Sequence, residues 1–457
     1  MKDKIVIIGA GVSGINAATT LVDGGYPGEL ITIIDKGKDP YNRLPEEVME
    51  GMLGAGGWSD GKLVVSTTQG GQLSKYCGEE KATQLMDEVV KNFTRFHPDP
   101  SQISVSDPTE EPDFIKPYFT LRMSKVWHIG SNYLHEISKN WYKYLVDKGV
   151  KFGWGIEVTK IDFENKDIYS YTPDLHTFQS GYNNYLATYD KLIFGVGKSG
   201  IDLTHQLVEC NNLFTEPKSA QIGVRFEAPQ KYFQKLIDVA YDFKLYQKPT
   251  DDVSIRTFCT NNNAAFVAVE ETYGDISYNG HAKKGEQFRN DMTNFGILME
   301  IKGIENPFEW SRAVVSQNQK LAQEAGDHAW GHGRCGLFYS PLGVKKRPSK
   351  TSEGNYVKAF EINHKGYMDM KHTFKGYYQY IEDFIISLNQ VFGFDLDYGI
   401  YIPEVKYLSP EPLVNYKDLS LNQFPNIHFV GDALSARGIT VSGAQGIYVA
   451  EDILENQ

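Results

Sequence analysis

The chain has 457 residues, too many for one compact core, so two or three domains are expected. Acidic side chains outnumber basic ones by 58 to 46, and the net charge of −12 argues against nucleic-acid binding through a general basic surface. No apolar run reaches the ~18 residues of a membrane-spanning helix, and the four cysteines, Cys77, Cys210, Cys259 and Cys335, are too scattered for a disulfide framework or a Cys-x-x-Cys centre.

The first apolar run, Ile5-Val6-Ile7-Ile8, reads as a strand that enters Gly9-x-Gly11-x-x-Gly14 and a helical pattern from Val12. A second run, Leu30 to Ile34, ends at Asp35, 21 residues beyond Gly14. This is a βαβ dinucleotide fingerprint. Gly9 permits the tight turn, Gly11 lets the backbone approach a pyrophosphate, and Gly14 lets helix and strand pack closely. The free N–H groups of the helix start, at Val12 and Ser13, favour the pyrophosphate charge. Asp35, followed by Lys36, is placed to accept a hydrogen bond from a ribose hydroxyl. Lys2 and Lys4 ahead of an apolar stretch also resemble a signal peptide, but glycines interrupt the apolar region and no convincing cleavage site follows.

Residues 51–71 are glycine-rich and include Gly57, Trp58, Ser59 and Lys62. Such a loop suits close approach of backbone to a ligand. A helix is predicted over 79–96, with Leu85, Val89 and Phe93 on one face, then a polar connector over 97–117. A second helix is predicted from Gly130 to Asp147, with Leu134, Ile137, Trp141 and Leu145 at helical spacing and Gly149 as its stop. Val150 to Phe152, Glu157 to Ile161 (including Val158) and Lys191 to Phe194 read as strands. The last enters a second glycine motif, Gly195-Val196-Gly197-Lys198-Ser199-Gly200. No acidic strand end follows at the usual distance, since Glu227 lies 27 residues on. The motif is therefore expected to close over the nucleotide held by the first one rather than to build a separate NAD(P) domain. Residues 222–400 alternate β-like runs with turns and read as a substrate domain. The chain returns to a strand at Ile427-His428-Phe429-Val430, passes through Gly431-Asp432 and Gly438-Ile439-Thr440, and ends in a helix.

Together, the N-terminal fingerprint, the strand-to-glycine turn at 192–200 and the Val430-Gly431-Asp432 segment with its helix resemble FAD-dependent oxidoreductases of the glutathione-reductase-like class. The resemblance implies that Asp432 holds a ribityl hydroxyl. It also implies that Gly438, Ile439 and Thr440 present backbone N–H groups to the flavin pyrimidine edge, where a helix N-terminus favours the negative charge of reduced flavin. A narrower resemblance is to a poorly characterised family of FAD-dependent dehydrogenases. It is carried by Gly57 to Leu63, His128 to Asn132, Gly197 to Asp202, Ile222 to Glu227, Ile255 to Cys259 and Gly438 to Glu451. Asn132 stands where that family usually has Asp, and Lys198 where it usually has His.

The expected fold is α/β: a Rossmann-like FAD-binding domain, discontinuous over 1–75, 150–215 and 406–457, with a helical insertion or cap over 76–149 and an α+β substrate domain over 216–405. The expected activity is hydride transfer between flavin N5 and a small molecule or NAD(P)H, in the cytoplasm, with no membrane partner. Lys62, Arg256 and His281 are the candidate catalytic groups, with Arg225 a further polar candidate. Lys62 could stabilise reduced flavin or bind a substrate carboxylate. Alternatives are a flavin hydroxylase, a non-redox flavoprotein with a partner-binding middle domain, and a flavoenzyme acting on RNA. His328, His332 and Cys335 raise a metal question, but Gly331, Gly333 and Gly336 argue against the helix that would align them, and no metal is expected. Lys345-Lys346-Arg347 reads as a solvated loop or a pocket for phosphate or carboxylate.

Overall fold

The β1 strand, Ile5–Ile8, is buried along its whole length. An unbroken apolar run with no polar alternation suits a strand covered on both faces. It lies at the centre of a sheet, parallel to β2 (Ile31–Asp35) on one side and to Lys191–Phe194 on the other. Lys151–Trp154 extends the parallel array beyond β2, and Phe424–Phe429 extends it beyond Lys191–Phe194. The short strand Ser420–Leu421 closes that edge in antiparallel fashion. Helix α1, Val12–Asp23, connects β1 to β2. The C-terminal helix, Ile439–Glu455, packs beside it. That approach is close because Gly446 has no side chain: a Cβ there would stand 2.0 Å from the Ser13 carbonyl oxygen.

The computed structural model describes residues 2–44, 47–171, 183–324, 373–395 and 397–456. Within them a second sheet has six antiparallel strands, ordered Gly399–Lys406, Ala220–Pro229, Met292–Ile301, Val253–Asn261, Phe243–Gln247 and Thr120–Met123. One face carries Ile222, Val224, Phe226, Ile255, Phe295, Ile297 and Met299, which form a second core with Ile381, Phe384, Ile385 and Leu388 of the helix Tyr378–Phe392. The period-two alternation turns Gln221, Arg225, Arg256, Phe258 and Glu300 to the other face.

The predicted helices over 79–96 and up to Asp147 are present, as Glu79–Phe96 and Leu134–Asp147. The reading of 222–400 as short strands and turns is corrected. Ala220–Pro229 and Met292–Ile301 run to 10 residues each, and the helices Pro307–Glu324 and Tyr378–Phe392 cover this region. Thr120–Met123, which carries no clear local signal, forms the far edge of the antiparallel sheet by pairing with Phe243–Tyr246. Among the described residues no helix is long and apolar enough to cross a membrane. The segments with His328, His332 and Cys335 and with Lys345, Lys346 and Arg347 lie outside the described residues.

Candidate functional site

A cleft of about 950 Å³ lies between the two sheets, at the C-terminal ends of the parallel strands. Its first wall is the β1–α1 turn. Gly9 has φ +100, and a Cβ on it would meet the Gly195 carbonyl oxygen at 2.5 Å, so the first glycine motif is seated directly against the second. Gly14 packs inward, where a Cβ would lie 2.3 Å from the Gly9 oxygen. Gly11 differs: it caps α1 with φ −67, no side chain caps the helix, and the nearest atom to a Cβ there is 3.8 Å away. The surface above Gly11, Val12 and Ser13 opens into the cleft. The first turn of α1 contains no acidic residue, so its free N–H groups and positive dipole end face an available space.

Asp35 ends β2 at the edge of the cleft. Its carboxylate accepts from the backbone N–H groups of Ala10 (2.8 Å), Gly37 (2.7 Å) and Gly51 (2.8 Å). It therefore organises three loops at the edge of the cleft, with a lone-pair site to spare for a hydroxyl. The neighbouring Lys36 bonds the Ser199 carbonyl at 3.0 Å and pairs with Glu50 at 3.4 Å. Arg43 fixes the adjoining loop by donating to the carbonyls of Glu47, Val48, Met52 and Gly54 at 2.7–2.9 Å.

The opposite wall is the start of the C-terminal helix. Gly438 caps it without a side-chain bond, again with no acidic residue in the first turn, and Gly438, Ile439 and Thr440 line the cleft. The Gly70 carbonyl accepts from Arg437 N at 2.6 Å and Gly438 N at 2.9 Å, so the glycine-rich loop is clamped onto this turn. Asp432 also lines the cleft and pairs with Arg437 Nη1 at 3.1 Å. Arg437 Nε and Nη2 and Ser435 Oγ are buried in this wall without a hydrogen-bond partner among the described residues. Orphaned polar atoms of this kind mark a place where a bound molecule would supply the missing partners.

The third wall is charged. Lys62 starts the strand Lys62–Val65, whose Val64 carbonyl accepts from Thr440 Oγ1, so the lysine is tied to the C-terminal helix start. Its Nζ is buried between Asp60 (3.0 Å) and Asp242 (3.2 Å) and bonds the Thr260 carbonyl at 2.5 Å. Burial disfavours the ammonium, but Asp242 and Asp60 outweigh it and hold Lys62 above its ordinary value. Burial likewise opposes the Asp242 carboxylate, while Lys244 at 2.6 Å and Lys62 bring it well below the usual carboxylate range. A neighbouring group joins Lys198 to Glu270 at 3.5 Å and Lys406 to Glu404 at 3.4 Å. Burial opposes the charge of Glu270, yet Lys198 and Lys406 bring it down to about 2. Cys259, at the strand irregularity between Phe258 and Asn261, has φ +46 and lines the cleft, and burial pushes its thiol up.

The cleft brings together Gly9, Gly11, Val12, Ser13, Asp35, Lys36, Trp58, Ser59, Val158, Gly195, Val196, Gly197, Asp432, Gly438, Ile439 and Thr440, along with Lys62 and Arg256. Gly14, Gly57 and Gly431 shape the surrounding backbone instead. A Cβ on Gly57 would lie 2.8 Å from the Met52 oxygen, and Gly431, at φ +68, donates its N–H to Gln445 Oε1 at 2.8 Å. Two polar candidates stand apart from the lining. His281 is buried, stacked on Phe266, with Nδ1 3.0 Å from the Ser59 carbonyl, and burial keeps its imidazole below the ordinary value. Arg225 is fully buried, bonded to the carbonyls of Phe258 and Cys259 at 3.2 Å each and paired with Glu404 at 3.5 Å. Both support the wall from behind. The sequence reading missed Asp60, Asp242, Lys244, Glu270, Lys406 and Arg437. Only the alternation Ser254, Arg256, Phe258 against Val253, Ile255, Thr257 offered a local sign of a polar sheet face there.

No protein-family model matches this chain, and no curated protein sequence matches it. Solved structures overlap it at low identity. A glycine oxidase from Bacillus cereus shares 10% identity with a TM-score of 0.42, over 100% of this chain and 96% of that one. A 2,6-dihydroxypyridine-3-hydroxylase from Arthrobacter nicotinovorans shares 10% with a TM-score of 0.44, over 100% and 85%. A flavoprotein/dehydrogenase from Cytophaga hutchinsonii shares 10% with a TM-score of 0.38, over 99% and 79%.

Proposed function

We propose that this chain is an FAD-dependent oxidoreductase, acting on a small-molecule substrate and exchanging electrons with that substrate or with NAD(P)H. The observation that carries this reading is the convergence of two uncapped helix N-termini, at Gly11 and at Gly438, on one cleft of about 950 Å³. A dinucleotide flavin carries negative charge at two separated places, the pyrophosphate and the pyrimidine edge of the ring. The cleft offers backbone donors at both. In this reading the N–H groups following Gly11 hold the pyrophosphate and Asp35 takes a ribose hydroxyl. Asp432 orients the ribityl chain, and the N–H groups of Ile439 and Thr440 hold charge at the ring. FAD would supply hydride chemistry at its ring.

The Lys62–Asp60–Asp242 group, with Lys244 on Asp242, would set a fixed array of two cations and two carboxylates on the third wall. An ammonium held above its ordinary value by two carboxylates does not act as a proton acceptor at neutral pH. Lys62 is therefore assigned to positioning and electrostatics rather than to proton transfer. The narrower assignment, to the poorly characterised FAD-dependent dehydrogenases, draws on the motif at Gly57 to Leu63, whose Lys62 occupies this wall. The test is anaerobic addition of NADPH, NADH or dithionite to the FAD-loaded protein. Loss of visible absorbance with a pyridine nucleotide supports a nucleotide-driven oxidoreductase. An FAD-loaded protein that only dithionite reduces would contradict nucleotide use and turn the search to a substrate that donates the hydride.

A further inference from the structure

Among the described residues, four cations of the antiparallel sheet line the cleft: Arg122, Lys244, Arg256 and Lys406. Two of them are already matched: Lys244 by Asp242 at 2.6 Å, and Lys406 by Glu404 at 3.4 Å. Arg122 and Arg256 form no ion pair among the described residues. Arg256 donates to Gln221 Oε1 at 3.4 Å, and Arg122 lies over the Tyr246 ring at 4.5 Å. Of the carboxylates on this face, Glu404 is taken by Lys406 and Glu300 accepts from Ser219 Oγ at 2.8 Å. In a chain with 12 more acidic than basic side chains, two cleft-lining guanidiniums with no ion pair among the described residues are conspicuous.

The strand register sets them around two rings. Tyr246 pairs with Arg256 across one strand boundary, and Lys244 pairs with Arg122 across the next. Tyr246 therefore stands between the two guanidiniums, and Phe258 is the next cleft-facing residue after Arg256. Arg256 lies 5.3 Å and Lys406 4.9 Å from the Phe258 ring centroid. Guanidinium suits this setting. It is planar, presents paired donors to a carboxylate, and tolerates contact with aromatic faces better than an ammonium does. The surface therefore offers an apolar ledge with an anion-binding fork beside it, close to Cys259 and the Lys62 wall.

We propose that this sheet face binds the substrate, and that the substrate is a planar aromatic acid whose carboxylate is held by Arg122 and Arg256 while its ring lies against Tyr246 and Phe258. The proposal rests on the cleft being the site of a flavoenzyme, but its test does not read the flavin. Calorimetric titration of the FAD-loaded protein would compare benzoate with benzamide and indole-3-acetate with its primary amide. The expected result is that at least one acid binds tenfold or more tightly than its amide, and that an Arg122→Gln/Arg256→Gln double variant loses this preference. Unchanged FAD content and circular dichroism would show the variant to be folded. Equal affinities for acid and amide in both pairs, or a preference that survives in the double variant, would overturn it. So would NADPH binding that depends on these arginines while neither acid is preferred, which would assign the guanidiniums to a nucleotide phosphate. Failure to take up FAD, with acid preference intact in the unloaded protein, would refute the cofactor reading and leave the anion site standing.

Discussion

Replacing Gly9 and Gly11 separately by alanine tests the role of the β1–α1 turn, because the two glycines do different work. At Gly9 a methyl group would lie 2.5 Å from the Gly195 carbonyl oxygen and 2.9 Å from its carbon, on a backbone with φ +100. Overpacking of this kind costs about 1–3 kcal/mol, and holding a residue other than glycine in so sparsely populated a backbone region costs about 1–3 more. Gly9→Ala is expected to lose roughly 2–6 kcal/mol by these terms. At Gly11 the backbone is ordinary, φ −67 and ψ 179, and the nearest atom to the new methyl is 3.8 Å away. There the apoprotein should gain about 0.4–1 kcal/mol from reduced freedom of the unfolded chain. In the proposed site the same methyl would stand in the path of the pyrophosphate, and FAD affinity should fall by tenfold or more, about 1.4 kcal/mol. Urea unfolding of the apoproteins and FAD titration together read both effects. A Gly11→Ala protein that is less stable than wild type but binds FAD normally would refute this account of the turn.

Two further predictions concern the charged wall. Lys62→Met leaves the buried Asp60 without its cation while Asp242 keeps Lys244, and breaking such a pair costs about 3–5 kcal/mol. Adding Asp60→Asn should recover part of that loss in urea unfolding, and no recovery would mean the pair is not stabilising. Glu270, at about 2 when folded and ~4.3 when unfolded, contributes stability that is full above the unfolded value. That stability is lost as the pH falls through the folded value, and is worth roughly 3 kcal/mol. Glu270→Gln should flatten the acid limb of stability against pH between about 4.3 and 2. An unchanged slope would show that Lys198 and Lys406 do not hold the carboxylate ionised.

The wall built by the first glycine motif was legible as a strand–helix–strand turn because its information is local. Gly9, Gly11, Gly14 and Asp35 are spaced by the geometry of a single strand–helix–strand unit, and the strand and helix around Asp432 carry a similar short-range pattern. The second glycine motif was legible for the same reason, and its seat against Gly9 follows from Lys191–Phe194 lying next to β1. The charged wall was not legible, because its pairs are distant in sequence. Lys62 and Asp242 are 180 residues apart and meet only when the strand Lys62–Val65 comes against the start of Phe243–Gln247. His281 was a reasonable candidate by residue type, but only burial against Phe266 and the bond to Ser59 reveal its supporting place. Asp35 illustrates an intermediate case. Its position was readable, while its bonds to Ala10, Gly37 and Gly51 depend on loops that no spacing rule specifies.

The most direct test of the central claim is FAD binding by the purified chain, read as cofactor stoichiometry from the visible spectrum after incubation with FAD and removal of the excess. The account predicts one FAD per chain, with occupancy falling in Gly11→Ala and in a variant of Asp432 to Ala. A well-folded protein that remains colourless after this treatment would contradict it.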